Sequence, residues 1–244
     1  MRAIILAAGT GKRLSQVHKG PKCLLHFNGR SLLERHLTHL KENGVTEITI
    51  VVGYEKEKVI AALPTGKNYT INVAVNPDYE LGSIVSLKAA TETLVSGENV
   101  ILMDADVLYD SKIIEVLIKS QKPNCVLLDR AFIDGEEPVK VCLERDKIVH
   151  FGKTLPHDIK YDKVGESVGF FKFSASIANK LAENTTLHCA NNPGIEPHEV
   201  ILEKLFLSDR ESFATEDITG LPWIEIDFPE DIVRAEKEIL RRIE

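Results

Sequence analysis

The chain has 244 residues, of which 43% are hydrophobic and 27% charged. That is a globular balance, and it excludes disorder as the main state. Lys plus Arg number 30 and Asp plus Glu 37, a net charge of −7, which argues against a surface devoted to nucleic acid but leaves room for a local basic pocket.

In chain order, Arg2–Ala7 is a short apolar run ending near glycine, which predicts a buried strand. It is far below the roughly 20 apolar residues that a membrane-spanning helix needs, so no membrane insertion is expected. Ser31–Asn43 carries Leu32, Leu33, His36, Leu37 and Leu40 at helical spacing, and Gly44 follows as a stop signal. Glu47–Val52 reads as a second strand, Glu55–Leu63 as a short helix, Thr70–Val75 as a third strand and Gly82–Val95 as a helix. Asn99–Met103 is a fourth strand, Ser111–Lys119 a helix and Cys125–Leu128 a strand. This alternation predicts a parallel sheet wrapped by helices.

The pattern then changes. Pro138–Glu144 and Lys147–Phe151 read as strands joined by a tight turn at Arg145-Asp146. Val168–Phe173 is another strand, followed by helical stretches at Ser174–Glu183 and Glu196–Leu205. Ser212–Thr215 and Pro222–Asp227 read as late strands, and Glu230–Ile243 as a closing helix. Length allows one large domain or two small ones. The expectation is one α/β domain over 1–244 with an acceptor-side β insertion at about 130–170. Cys23, Cys125, Cys142 and Cys189 are far apart and form no Cys-x-x-Cys pair. This predicts reduced, mostly buried thiols in a cytoplasmic protein, with no zinc or redox motif.

The first strand leads into Leu6-Ala-Ala-Gly-Thr-Gly-Lys-Arg13. Gly9 and Gly11 let the backbone curl with its N–H groups inward, a nest for phosphate oxygens. Lys12, Arg13 and Lys22 add positive charge beside it, which fits a triphosphate. A dinucleotide fingerprint would need a third glycine where Leu14 stands, and no P-loop string is present.

Asp104-Ala-Asp106 closes the fourth strand, at the sheet edge where α/β proteins bind ligands. Carboxylates there suit Mg²⁺. Asp110, beside Ser111, reads instead as a helix cap. Far downstream, Glu225 and Asp227 alternate with Ile224 and Ile226, which puts both acids on one face of a strand. Two adjacent acids repel unless a cation or solvent intervenes. Pro229, Glu230 and Asp231 read as a helix start.

Three pieces together, Leu6-Ala-Ala-Gly-x-Gly-x-Arg-Leu14, Pro21-Lys22-x-Leu-Leu25 and Gly29-x-x-Leu-Leu-Glu34, resemble the signature of nucleotidyltransferases. The resemblance implies a Rossmann-like, mostly parallel mixed sheet. It also implies transfer of a nucleoside monophosphate from an NTP to a phosphorylated acceptor. Leu6, Ala7, Ala8, Gly9, Thr10, Gly11, Lys12, Arg13, Lys22, Gly53, Gly82, Ser83 and Asp104 would bind the nucleotide. Arg13 and Lys22 would stabilise charge on the α-phosphate and the leaving pyrophosphate. Asp106, Glu225 and Asp227 would bind a catalytic Mg²⁺. The Glu-x-Asp form, with Asp-Ala-Asp earlier, looks most like the cytidylyltransferases for choline phosphate and related alcohol phosphates or phosphonates.

That likeness makes CTP and a small phosphate or phosphonate the expected partners. Gly82 would let backbone approach the base, and Ser83 reads either as a base contact or as a plain N-cap. Phe151-Gly-Lys153 and Gly169-Phe170 look like counterparts of acceptor-site strands in sugar-1-phosphate enzymes, but the glutamate and proline of the former are missing. Lys153 is the candidate for the acceptor phosphate and Glu166 for an amino group on the acceptor. A quaternary ammonium would want an aromatic cage, for which Trp223, Tyr161, Phe170 and Phe171 are the available walls. The rival readings are a sugar-1-phosphate or molybdopterin nucleotidyltransferase, and a nucleotide-binding module without turnover.

Overall fold

The computed structural model describes residues 1–66, 69–192 and 194–243. Its strands are β1 (Arg2–Ala7), β2 (His26–Phe27), β3 (Arg30–Ser31), β4 (Glu47–Val52), β5 (Thr70–Val75), β6 (Val100–Asp104) and β7 (Val107–Tyr109). They continue as β8 (Cys125–Leu128), β9 (Lys140–Glu144), β10 (Lys147–Gly152), β11 (Lys163–Glu166), β12 (Phe170–Phe173), β13 (Ala214–Asp217) and β14 (Trp223–Glu225). The helices are α1 (Leu32–Glu42), α2 (Lys56–Ala61), α3 (Ser83–Ala89), α4 (Thr91–Leu94), α5 (Ser111–Lys119), α6 (Ala175–Asn191), α7 (Glu199–Ser208), α8 (Pro229–Arg234) and α9 (Leu240–Ile243). No helix among the described residues is long and apolar enough to cross a membrane.

Seven strands form the central sheet in the order β13-β8-β12-β6-β1-β4-β5. All its pairings are parallel except those of β12, which runs antiparallel to both β6 and β8. Side-chain alternation divides the core between the two faces. On one face, Ile4 of β1 and Val100 and Leu102 of β6 pack with Ile84 and Leu87 of α3 and with Leu181 and Leu202 of α6 and α7. On the other, Ala3, Ile5, Ile101 and Met103 pack with Leu33, Leu37 and Leu40 of α1 and Ile113 and Leu117 of α5. Strands buried on both faces read as continuous apolar runs, which is why β1, β4 and β6 are legible in the sequence.

A second sheet, β10-β9-β11, lies within the expected insertion. Its β9–β10 turn places Arg145 and Asp146 at φ 51° and 64°, the left-handed pair of a tight hairpin. Short β2 and β3 form another hairpin, with Asn28 and Gly29 at φ 47° and 76°. Ser31 then opens α1 through a capping box: the Glu34 N–H donates to Ser31 Oγ at 3.1 Å, and the Ser31 N–H donates to Glu34 Oε2 at 2.7 Å. Gly29 and Glu34, the third piece of the sequence signature, therefore act as turn and cap.

Several boundaries differ from expectation; the helix expected at Glu196–Leu205 runs from Glu199 to Ser208. The helix expected over Gly82–Val95 is two helices, α3 and α4, with Ala90 between them at φ −88°, ψ 10°. Helix α6 runs on to Asn191, well past Glu183. The strand expected at Ser212–Thr215 lies two residues later, paired to β8. The strand expected to reach Asp227 stops at Glu225, and its partner β7 was not expected at all. β7 and β14 form a separate antiparallel ribbon with Glu225 opposite Val107. Beneath it, Leu14, Phe27, Leu32, Leu108, Ile224, Ile226 and Ala235 make a third apolar cluster.

Candidate active site

The carboxyl ends of β1 and β6 open into a cavity of about 370 Å³. Leu6, Ala7, Ala8, Gly9, Thr10, Gly11 and Lys12 form one wall, and Lys22, Asp104, Asp106 and Glu225 another. Gly82 and Ser83 line it from the start of α3. Gly11 sits at φ 59°, where a side chain is strained, and a Cβ there would lie 3.0 Å from Lys22 Cγ. The glycine thus lets the turn close against the Lys22 side chain.

Lys22 joins the cluster expected to hold a metal. Its Nζ donates to Asp106 Oδ2 at 2.9 Å and also to Asp227 Oδ1. Burial alone would lower its pKa, but Asp106 and Asp227 outweigh that and hold the ammonium above the usual lysine range. Asp106, Glu225 and Asp227 each offer an oxygen within 4.8 Å of the others. Ile224 and Ile226 turn into the third apolar cluster while Glu225 and Asp227 project the other way, as their alternation predicts. Glu225 is exposed at the mouth of the cleft, and partial desolvation there, followed by Asp106, Asp227 and Asp104, raises its pKa. Asp104 is raised in the same way, by burial first and then by Asp106 and Glu199. Asp227 is held low; burial opposes this, but Lys22 and then Arg13 prevail.

Arg13 leaves the first cavity. Its Nη1 donates to Asp227 Oδ2 at 3.1 Å and to Glu137 Oε2 at 3.2 Å, and its guanidinium lies 4.9 Å from the centre of the Phe228 ring. Of the three loop cations, Lys12 and Lys22 face the cavity beside the glycine turn. Gly53 is not among the residues that line the cavity, and a Cβ there would meet Tyr79 Cβ at 2.6 Å. Its role is to let Tyr79, which does line the cavity, pack close. The Gly82 backbone likewise approaches protein: at φ 95°, a Cβ would lie 2.1 Å from the carbonyl oxygen of Glu196.

Ser83 is not an N-cap, because α3 starts at that residue without a side-chain cap. Its Oγ accepts the His198 N–H at 2.9 Å and lies 2.9 Å from His198 Nδ1. His198 and Glu199 both line the cavity and carry no signal in the sequence, whereas Tyr79 and Glu80, which also line it, belong to the segment before Gly82 that the sequence places over the base. Nothing local marks His198 and Glu199; the start of α7 brings them in. Asp110 is the helix cap expected, accepting the Lys112 N–H at 2.8 Å. Asp231 Oδ2 accepts the N–H groups of Asp227 and Phe228 at 3.0 and 2.7 Å, which ties the start of α8 to the acidic strand end.

A second cavity, about 470 Å³, shares Glu225 with the first and is also lined by Asp227, Glu166 and Trp223. Lys153 stands at its edge, paired at 2.8 Å with Glu137, which lines it. Of the four aromatic walls considered, Trp223 alone lines this cavity. Phe170 and Phe171 are in the core, at 0% and 1% exposure, and Tyr161 lies elsewhere on the surface. Phe132 and Phe228 line it instead.

A mixed, mostly parallel sheet with a glycine-rich cationic loop facing a carboxylate cluster defines a nucleotidyltransferase of Rossmann-like fold. Residues 3–152 match the MobA-like NTP transferase domain, and the chain belongs to that family. It is 29% identical over 241 residues to the bifunctional IPC transferase and DIPP synthase of Rubrobacter xylanophilus, covering 98% of this chain and 52% of that protein. The chain thus spans about half the length of such curated relatives. It is 36% identical over 108 residues to the choline-phosphate cytidylyltransferase of Streptococcus pneumoniae, 43% of this chain and 44% of that protein. Among solved structures, the inositol-1-phosphate CTP transferase from T. maritima superposes with a TM-score of 0.74 at 25% identity, covering 99% and 95% of the two chains.

Proposed function

We propose that the protein transfers CMP from CTP to a small phosphorylated or phosphonylated acceptor and releases pyrophosphate. The observation that carries this reading is the meeting of two cavities at one carboxylate cluster. The first offers a glycine turn with Lys12 and Lys22, suited to a triphosphate. The second has Arg13 and Lys153 at its edge, both bonded to its lining residue Glu137 and close to the same acids, which suits a second anion. CTP as the donor draws on the relatives, several of which are named for cytidylyl transfer.

The nucleophile is an acceptor phosphate or phosphonate oxygen, already anionic at neutral pH, so no general base is required. It forms a bond to the α-phosphorus as the bond to the β-phosphate bridging oxygen breaks, and the electron pair leaves with pyrophosphate. Catalysis is then positioning and charge neutralisation. Lys12 and the loop N–H groups hold the triphosphate tail. Lys22, bonded to Asp106 and Asp227, neutralises charge where the bond is exchanged. Arg13 and Lys153 steer the acceptor anion. The donor set fits Mg²⁺: three hard carboxylate oxygens lie within 4.8 Å of one another, and one lysine cannot neutralise them all. Asp106, Glu225 and Asp227 would hold Mg²⁺, which would supply neutralisation of charge on the α-phosphate and the leaving pyrophosphate.

The test is pyrophosphate release from each of the four NTPs against a panel of phosphate and phosphonate acceptors. Release with CTP supports the reading. Release only with another NTP and a sugar 1-phosphate or molybdopterin would replace it, and CTP binding without release from any acceptor would make the chain a binding module.

A further inference from the structure

Two serines of α3, Ser83 and Ser86, line the first cavity. Residues three apart share a helix face, with Cβ atoms about 5–6 Å apart. Both hydroxyls can therefore meet adjacent atoms of one planar ring edge. A hydroxyl has one proton and two lone pairs, and it offers a ligand whichever of these the protein leaves over.

At Ser83 the protein takes the proton. Its Oγ accepts the backbone N–H of His198 at 2.9 Å and lies 2.9 Å from His198 Nδ1. Which of those last two atoms donates depends on the imidazole tautomer. Nε2 is the nitrogen that faces Asp104, with Oδ1 at 3.8 Å, and the carboxylate draws the ring proton to that side. Glu199 Oε2 lies 3.3 Å from Nδ1 but accepts no hydrogen bond among the described residues, so it holds no proton there. Nδ1 is thus an acceptor, the Ser83 hydroxyl donates to it, and the remaining Ser83 lone pair faces the cavity. The arrangement is braced from behind, where the Ile84 N–H donates to the Glu196 carbonyl oxygen at 3.3 Å.

At Ser86 the protein leaves the proton. Asn76 Oδ1 accepts the Asp78 N–H at 3.0 Å, which orients the buried amide. Its Nδ2 then donates to Ser86 Oγ at 3.0 Å. Ser86 is the acceptor in that bond, and its own proton meets no acceptor among the described residues. Helix α3 thus presents a lone pair from Ser83 beside an O–H from Ser86. The Watson–Crick edge of cytosine carries the complement, an amino donor beside a bare ring-nitrogen acceptor, and adenine has the same order. Uracil and guanine carry the reverse, a carbonyl oxygen beside a ring N–H.

We propose that His198 and Asn76 are positioning residues that fix the polarity of the Ser83 and Ser86 hydroxyls, and that this polarity makes the first cavity select amino bases over keto bases. The proposal rests on the first cavity holding the nucleotide, as in the reading above. It places the preference for CTP over UTP in hydrogen bonds of this chain rather than in pocket size, since the two pyrimidines have the same ring.

The experiment is calorimetry of CTP and UTP binding with Mg²⁺ and no acceptor. Native protein should bind CTP at least about tenfold more tightly, because UTP leaves two mismatched polar pairs. Ser83→Ala should bring the two within about threefold. His198→Ala releases the Ser83 proton and should do the same, largely by tightening UTP. Binding of inorganic triphosphate should stay unchanged in both variants, whereas a merely structural loss would weaken every ligand together. His198→Asn, which can set an amide oxygen where Nδ1 stands, should restore the preference. Equal or tighter binding of UTP by native protein, no binding of either nucleotide, or a CTP preference that survives both Ser83→Ala and His198→Ala would overturn the proposal. Turnover is not needed for this reading. A CTP preference lost in these variants supports it even if no acceptor releases pyrophosphate, in which case the transfer reaction proposed above falls alone. Pyrophosphate release with equal CTP and UTP affinities overturns this inference and leaves the transfer reaction standing.

Discussion

The backbone N–H of Ile226 donates to the carbonyl oxygen of Asp106 at 2.9 Å. This bond extends the β7–β14 ribbon, in which Glu225 stands opposite Val107. It brings the end of the fourth expected strand to acids far downstream in the chain. With Ile224 and Ile226 anchored in an apolar cluster, Glu225 and Asp227 have little choice but to face Asp106.

Asp106→Asn and Asp227→Asn should abolish turnover while circular dichroism shows the fold unchanged. Each removes a phosphate-site or metal-site oxygen, and loss of one such electrostatic contact costs about 10²–10³ in kcat or more. Chelation with EDTA should do the same to the native enzyme, with recovery on adding Mg²⁺. Near-normal rates in both purified variants would dismiss the metal assignment.

Glu225→Gln should separate stability from activity. Its carboxylate is crowded by Asp106, Asp227 and Asp104, so in metal-free protein the neutral amide relieves repulsion. The variant should melt higher than native protein in EDTA and still fail to turn over. A lower melting temperature would show that the carboxylate supports the fold.

Lys22→Ala should reduce kcat far more than it raises the KM for CTP, because Lys22 is bonded to Asp106 and Asp227, where the bond is exchanged. It also leaves Asp106 and Asp227 without their shared cation, so metal-free protein should lose stability. A change confined to KM would assign Lys22 to ground-state binding.

Gly82→Ala tests the approach of α3 to the loop before α7. A methyl group there would meet the Glu196 carbonyl oxygen at 2.1 Å, on backbone at φ 95°. Glu196 would have to move and carry His198 with it, breaking the Ser83 contact. Loss of stability by about 1–3 kcal/mol and a raised KM for CTP are expected; native-like thermal melting would contradict the packing.

Glu166 predicts a pH signature. Its folded pKa of about 7 lies above the roughly 4.3 of an unfolded glutamate. The folded state therefore binds the proton more tightly, and the ionised carboxylate costs stability. That cost is complete above the folded value and is relieved as pH falls from 7 toward 4. Glu166→Gln should gain on the order of 1–3 kcal/mol over native protein at pH 8, and the gain should vanish near pH 4. Melting curves that stay parallel across this range would mean that the carboxylate is well solvated.

Local features of the sequence determined much of this. Continuous apolar runs made β1, β4 and β6 legible, since strands buried on both faces need no polar alternation. The alternation of Ile224, Glu225, Ile226 and Asp227 set the two acids on one side, and the glycine turn with its lysines marked the triphosphate end. What only the tertiary structure decided are the contacts between segments with no local tie. Arg13 is diverted from the loop to Asp227 and Glu137. Gly53 serves Tyr79 rather than the cavity, and α7 delivers His198 and Glu199 to a wall built by β6 and α3. Periodicity reports which face of an element is buried, not which distant element covers it. Glu166 comes to lie beside Asp129 only through the antiparallel bridge between the end of β11 and the residue after β8.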